Sequence, residues 1–199
     1  GKTTSLRMAL DILRPTSGQV EILGRAPTRD NAGLLGFLPE ERGLYRQMTV
    51  METIVYFARL KGMAEWPARK SAEHFIERFG LGPWKRTTIE KLSKGLSQKV
   101  QLAAALVNQP KLVLLDEPFS GLDPVNQSVL EEVILEMARG GATIIFSTHI
   151  MQHAERLCER LLLLSRGNKI FEGTPDEARK TIPPRLTLTS RANPSALPL

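Results

Sequence analysis

The stretch Lys111–Asp123 reads KLVLLDEPFSGLD, and the rest of the chain is best read outward from it. Leu112, Val113, Leu114 and Leu115 form an unbroken apolar run, which suits a strand buried on both faces of a parallel sheet. Two carboxylates, Asp116 and Glu117, follow the run and precede Pro118. In open α/β sheets ligands sit at the C-terminal ends of the strands. An acidic pair there can hold Mg2+ through one carboxylate and orient a water with the other. It can equally be an acidic loop that caps the next helix.

Downstream, Val125, Val129, Val133, Ile134 and Met137 mark the inner stripe of a helix ended by Gly140-Gly141. Ala142–Ser147 reads as a second buried strand, delivering Thr148 and His149 to its C-terminal end. A histidine in that place is on its own more often structural than catalytic. His74 and His153 lie in helical patterns and receive no role.

Upstream, Leu92–Ser97 opens a helix with Ser93 as its cap and Val100, Ala103 and Val107 facing inward. Thr49-x-x-Glu52 is a capping box for a helix running to about Lys61. Pro67 starts another, with Ala68, Ala72, Phe75, Ile76 and Phe79 on its apolar face. Trp66 and Trp84 flank that helix and read as packing anchors. Leu34–Leu38 is strand-like, and Gln19–Leu23 alternates like a strand in a short hairpin.

At the opening, Gly1-Lys2-Thr3-Thr4 precedes a helix with Leu6, Ala9, Leu10 and Leu13 on one face, stopped by Pro15. GK[ST] is the second half of a P-loop, in which helix N-terminal amides and a lysine cradle phosphates. At the other end, Leu161–Leu164 and Lys169–Glu172 form a hairpin about Arg166-Gly167-Asn168. Thr174–Glu177 caps a short helix, Pro183-Pro184 breaks the pattern, and Leu186–Thr189 alternates like a strand.

With 199 residues the chain can form one good-sized core and a small lobe. A hydrophobic content of 42% and a charged content of 24% are ordinary for a globular protein. No apolar run approaches the roughly 18 residues of a membrane span, and no signal-peptide pattern opens the chain. The net charge is +6, with ten Lys/Arg against five Asp/Glu in 51–100 and two against six in 101–150. These cations are scattered through helical segments, which favours a solvated face, or one turned toward a polyanion or membrane, over nucleic acid. Cys158 sits near Ala154, Leu157 and Leu161 at helical spacing and reads as a small core residue. A lone cysteine fits a reducing compartment.

Taken together, residues 1–180 resemble the ATPase subunit of ATP-binding cassette (ABC) transporters. GKTT at 1–4 is similar to the end of the Walker A loop, and LSKGLSQ at 92–98 to the signature LSGGQ. LVLLDEP at 112–118 resembles Walker B, SGLD at 120–123 the D-loop, and STH at 147–149 the switch histidine. The resemblance implies an α/β P-loop NTPase fold with a RecA-like parallel sheet and an inserted α-helical subdomain. It implies four segments: a partial P-loop/β subdomain (1–43), a helical subdomain with the signature (44–108), a core with Walker B and switch histidine (109–165), and a C-terminal extension (166–199).

The roles implied are those that phosphoryl transfer requires. Lys2, Thr4 and the Gly1–Thr4 amides would hold phosphates of ATP, while Thr3 and Asp116 would hold Mg2+. Glu117 would be the general base and His149 would stabilise the γ-phosphate. Ser93, Gly95 and Asp123 would act across a head-to-tail dimer, on ATP held by a second ATPase subunit. A polytopic membrane permease is the other implied partner, with the protein peripheral on the cytoplasmic face of the membrane and no nucleic acid expected. The stretch LPEERGLY at 38–45 is similar to bacterial exporter ATPases.

Two positions depart from the family pattern. Glu40 stands where glutamine is usual, and its carboxylate can still ligate Mg2+. In the signature, Lys94 and Leu96 replace a glycine and a glutamine. The chain begins in mid-motif without Met, so it is expected to be a fragment, truncated at both ends, that binds ATP weakly or not at all. The alternatives are a soluble ABC-family ATPase acting on ribosomes or DNA, and a nucleotide-binding module without catalysis. Glu117 and His149 argue against the last.

Overall fold

The computed structural model describes residues 1–41 and 43–181. The expected strand at Leu186–Thr189 and the Pro183-Pro184 break lie outside the described residues, as does Arg42 of the 38–45 stretch. The chain divides into two compact units, Gly1–Leu157 and the part from Cys158 onward.

The first unit is built on a three-stranded parallel sheet of β1 (Leu35–Leu38), β2 (Leu112–Asp116) and β3 (Thr143–Ser147), in that order. All five residues of β2 are buried, as its unbroken apolar run requires of a central strand. Its side chains alternate between two cores. Leu112 and Leu114 join Leu35, Ile22 and Leu6 of helix α1 (Lys2–Ala9) on one face. Val113 and Leu115 face the larger core, shared with α2 (Val50–Leu60), α3 (Glu65–Arg78), α4 (Lys94–Leu106) and α5 (Pro124–Arg139). β1 approaches α4 so closely that a Cβ on Gly36 would lie 2.8 Å from the Ala105 carbonyl oxygen. Helix α6 (Met151–Leu157) completes this unit.

Helix starts follow local chemistry. Thr49 and Glu52 form the expected capping box of α2. The Ser93 hydroxyl accepts from the Leu96 N–H at 3.3 Å, capping α4. Asp123 does the same for α5, accepting from the Asn126 N–H at 3.1 Å, with Pro124 in the first turn.

Several expectations need correction. α1 stops at Ala9, well before Pro15, because Asp11 turns left-handed (φ 56°) and Ile12 N–H returns to the Arg7 carbonyl at 3.0 Å. Leu13 therefore leaves the apolar face and is exposed. The Gln19–Leu23 hairpin shrinks to a single bridge between Ile22 and Arg25. β3 is an edge strand whose Thr143 and Ile145 are exposed, so it is not buried on both faces. Val125 is exposed, because it lies in the first turn of α5 before the helix reaches the core. Trp66 falls within α3, which begins two residues before Pro67, and at 72% exposure it anchors no core; Lys70 lies over its ring instead. Cys158 follows the end of α6 and is only half-buried.

The second unit holds the expected hairpin, β4 (Leu161–Ser165) antiparallel to β5 (Asn168–Gly173). Helix α7 (Pro175–Thr181) follows, and its Thr174/Glu177 capping pair is reciprocal. No helix among the described residues is long and apolar enough to cross a membrane.

Candidate functional site

The site lies at the C-terminal ends of β2 and β3, entirely within the first unit. Asp116 and Ser147 are register partners, so the two strands end level with one another. The Ser147 hydroxyl donates to Asp116 Oδ1 and accepts from the Glu117 N–H at 3.1 Å. Glu117 itself adopts a left-handed backbone (φ 48°), which an L-residue with a side chain avoids unless its surroundings impose it. The bond from its N–H to Ser147 is part of that imposition.

This turn aims the Glu117 carboxylate at two distant parts of the chain. Lys2 Nζ donates to Glu117 Oε1 at 2.8 Å and to the Thr148 carbonyl at 3.0 Å. His149 Nδ1 lies 2.9 Å from Glu117 Oε2. A carboxylate only accepts, so His149 Nδ1 carries the proton in this contact. Both oxygens of one side chain are thus engaged by residues 115 positions before it and 32 after it. The His149 side chain is 72% exposed while that of Glu117 is 13% exposed, so the carboxylate sits at the floor of an open site.

Asp116 is the buried member of the pair, at 1% exposure. Its Oδ2 is buried without a hydrogen-bond partner. An unmet acceptor of this kind is costly in a protein interior, and a hard cation satisfies it. No three His, Cys, Asp or Glu side chains cluster as a metal cage among the described residues. Mg2+ needs no such cage, because it binds through one or two carboxylates together with water and substrate phosphates. The donor set therefore fits Mg2+. Glu40 lies two residues past β1 and lines, with Lys94, Gln98, Asp116, Glu117 and Ser120, a cleft of about 280 Å³.

The remaining candidates are placed as follows. Gly1 is the N-cap of α1, its carbonyl accepting from the Ser5 hydroxyl at 2.9 Å, and Thr3 and Thr4 lie in the first turn. Ser93 and Gly95 stand at the start of α4 and do not line the cleft of Asp116 and Glu117. Asp123 is held as a helix cap, and the Asn126 N–H bond keeps its carboxyl below the usual carboxylate range. Lys2, Asp116, Glu117 and His149 converge, whereas Ser93, Gly95 and Asp123 stand at the starts of α4 and α5.

Sequence reading overlooked two contributors. Ser147 links Asp116 to Glu117, a role that the level strand ends would have revealed. Gln98 donates to the Pro118 carbonyl at 2.9 Å, tying α4 to the turn after Glu117. No sequence pattern marked that contact.

Comparison with known proteins identifies the family. Residues 1–120 match the family described as ABC transporter. The uncharacterized ABC transporter ATP-binding protein YhaQ of Bacillus subtilis is 42% identical over 181 residues, covering 91% of this chain and 61% of YhaQ. The probable multidrug ABC transporter ATP-binding protein YbhF of Escherichia coli is 35% identical, over 92% of this chain and 32% of its own length. A solved ATP-binding subunit of an ABC transporter superposes with a TM-score of 0.84 at 30% identity, covering 91% of this chain and 77% of that one. The chain thus spans about three fifths of YhaQ and a third of YbhF.

Proposed function

The chain belongs to the ABC transporter family of ATP-binding proteins, and on that premise we propose that it hydrolyses ATP to drive a membrane transporter. Its parallel sheet and flanking helices are the α/β core of a P-loop nucleotide hydrolase. The observation that carries the proposal is the meeting of Lys2, Glu117 and His149 beside a buried Asp116 with an unmet oxygen.

In this reading the amides at the start of α1 and the Lys2 ammonium bind the phosphates of ATP, helped by the helix dipole. Thr3, Asp116 and Glu40 would hold Mg2+, which when bound neutralises charge on the phosphate oxygens. Glu117 accepts a proton from the attacking water as its oxygen bonds to the γ-phosphorus. The bond to the β–γ bridging oxygen breaks, leaving ADP and phosphate. His149 donates toward the γ-phosphoryl oxygens and stabilises their charge. Ser93 and Gly95, at the start of α4, would act on ATP held by a second subunit, and Asp123 would lie at the same interface.

The whole protein is then a peripheral ATPase on the cytoplasmic face of a membrane, working with a polytopic permease. The relative YbhF is named for multidrug transport, and that name, with the 38–45 stretch, supports export as the direction. Substituting Glu117→Gln in the whole protein is expected to preserve ATP binding and to lower turnover at least a hundredfold, a span within reach of losing a general base. Turnover within twofold of the parent overturns the assignment.

A further inference from the structure

His153 takes no part in the mechanism above, yet it is 7% exposed and tightly engaged. It sits one helical turn beyond His149, on α6. Its ring stacks on Phe119, with centroids 4.0 Å apart and planes 8° from parallel. Its Nδ1 lies 3.3 Å from Glu131 Oε1 on α5. Glu131 is itself buried, and its other oxygen meets Arg156 Nη2 at 2.7 Å. Phe119 follows Glu117 by two residues and packs edge-on against Phe146 of β3, just before Ser147.

One imidazole on α6 therefore touches the turn after Glu117, through Phe119, and α5, through Glu131. α6 carries the chain away from His149, and Glu131 ties α6 to α5. By contrast the His149 side chain is largely solvent-exposed and is held to the site by its 2.9 Å contact with Glu117. We propose that His153 is a positioning residue, which through Glu131 and Phe119 holds α6 so that the His149 imidazole reaches Glu117. This rests on the hydrolytic reading of the site, but its test does not depend on that reading. A buried carboxylate needs its donors. Removing the His153 N–H leaves Arg156 to tie α6 to Glu131 and loosens the end of α6 nearer His149, and a side chain held to productive geometry by such partners loses activity when they go.

The test uses the whole protein with 15N-labelled histidine. His153→Ala removes ring and donor, whereas His153→Phe keeps the stacked ring and removes only the N–H. In the parent, His149 Nδ1 is expected to give a hydrogen-bonded 15N resonance, assigned by its loss in His149→Gln. In both His153 variants that resonance is expected to move to its water-exposed position. ATP turnover is expected to fall on the order of tenfold, with KM for ATP within twofold of the parent. The Phe variant guards against simple unfolding of the Ala variant. An unmoved His149 resonance in a folded variant overturns the proposal. A moved resonance in a protein whose parent hydrolyses no ATP upholds the positioning and sinks the hydrolytic reading instead.

Discussion

Ser147 is the smallest side chain at the site and the one on which both carboxylates depend. It donates to Asp116 Oδ1 and accepts from the Glu117 amide, so its hydroxyl couples the carboxylate proposed to hold Mg2+ to the turn that presents the proposed base. Replacing Ser147 with Ala leaves Asp116 Oδ1 without its donor in a site of 1% exposure. Leaving a buried acceptor unpaired costs about 1–3 kcal/mol and more when it is charged, and chemical denaturation of Ser147→Ala is expected to show a loss of at least about 1 kcal/mol. ATP turnover is expected to fall on the order of tenfold as well, and a variant matching the parent in both would overturn this account. At this scale the chain was readable wherever a motif named the residue. Lys2, Asp116, Glu117 and His149 were found that way, and their meeting is seen in the fold. Ser147 and Gln98 fall inside two of those motifs but received no role, since a hydroxyl and an amide acquire meaning only once strand register and helix packing bring partners to them.

Helix α4 illustrates how an element is fixed at both ends by different means. Ser93 caps its start, while its last carbonyls receive the Lys61 ammonium: Nζ lies 2.7 Å from the Ala105 oxygen, 3.3 Å from that of Ala104 and 2.9 Å from Asn108 Oδ1. A cation suits a helix C-terminus, but burial disfavours the charged amine and lowers its pKa from 10.5 to about 8. The folded state therefore binds fewer protons than the unfolded one between pH 8 and 10.5. Stability rises with pH across that window, because the cost of burying the cation is full below pH 8 and fades above it. A shift of this size is worth about 3 kcal/mol. Urea unfolding of the parent against Lys61→Met is expected to show the parent gaining by up to that amount from pH 7 to 10.5. A pH-independent difference would rule this out. Elements whose ends carry their own signals, such as the capping boxes at Thr49 and Thr174, were legible in the sequence. Those decided by distant neighbours were not: the edge position of β3 exposes Ile145, and a left-handed Asp11 ends α1 early.

At the scale of the whole molecule, the central apolar run and the order of motifs were enough to read an α/β nucleotide-hydrolase fold, because a strand buried on both faces admits few architectures. The resemblance also implied that Ser93, Gly95 and Asp123 act on ATP held by a second subunit, and that division of the site remains a proposal. Lys94 lines the cleft that holds Asp116 and Glu117 while its neighbours Ser93 and Gly95 do not, and the proposal gives those two a role toward a second subunit. The whole protein carrying Glu117→Gln is expected to run as a dimer in light scattering with saturating Mg-ATP and as a monomer with ADP. A single mass under both conditions would remove the dimer from the proposal.

The left-handed backbone at residue 117 has an effect that reaches the whole fold. A residue with a Cβ costs on the order of 1–2 kcal/mol in that conformation, and glycine there would relax it. Such a replacement would also cut the ties of Glu117 to Lys2 and His149 and remove the proposed proton acceptor. Relief of a twisted peptide and loss of a three-way junction thus meet at this single α-carbon.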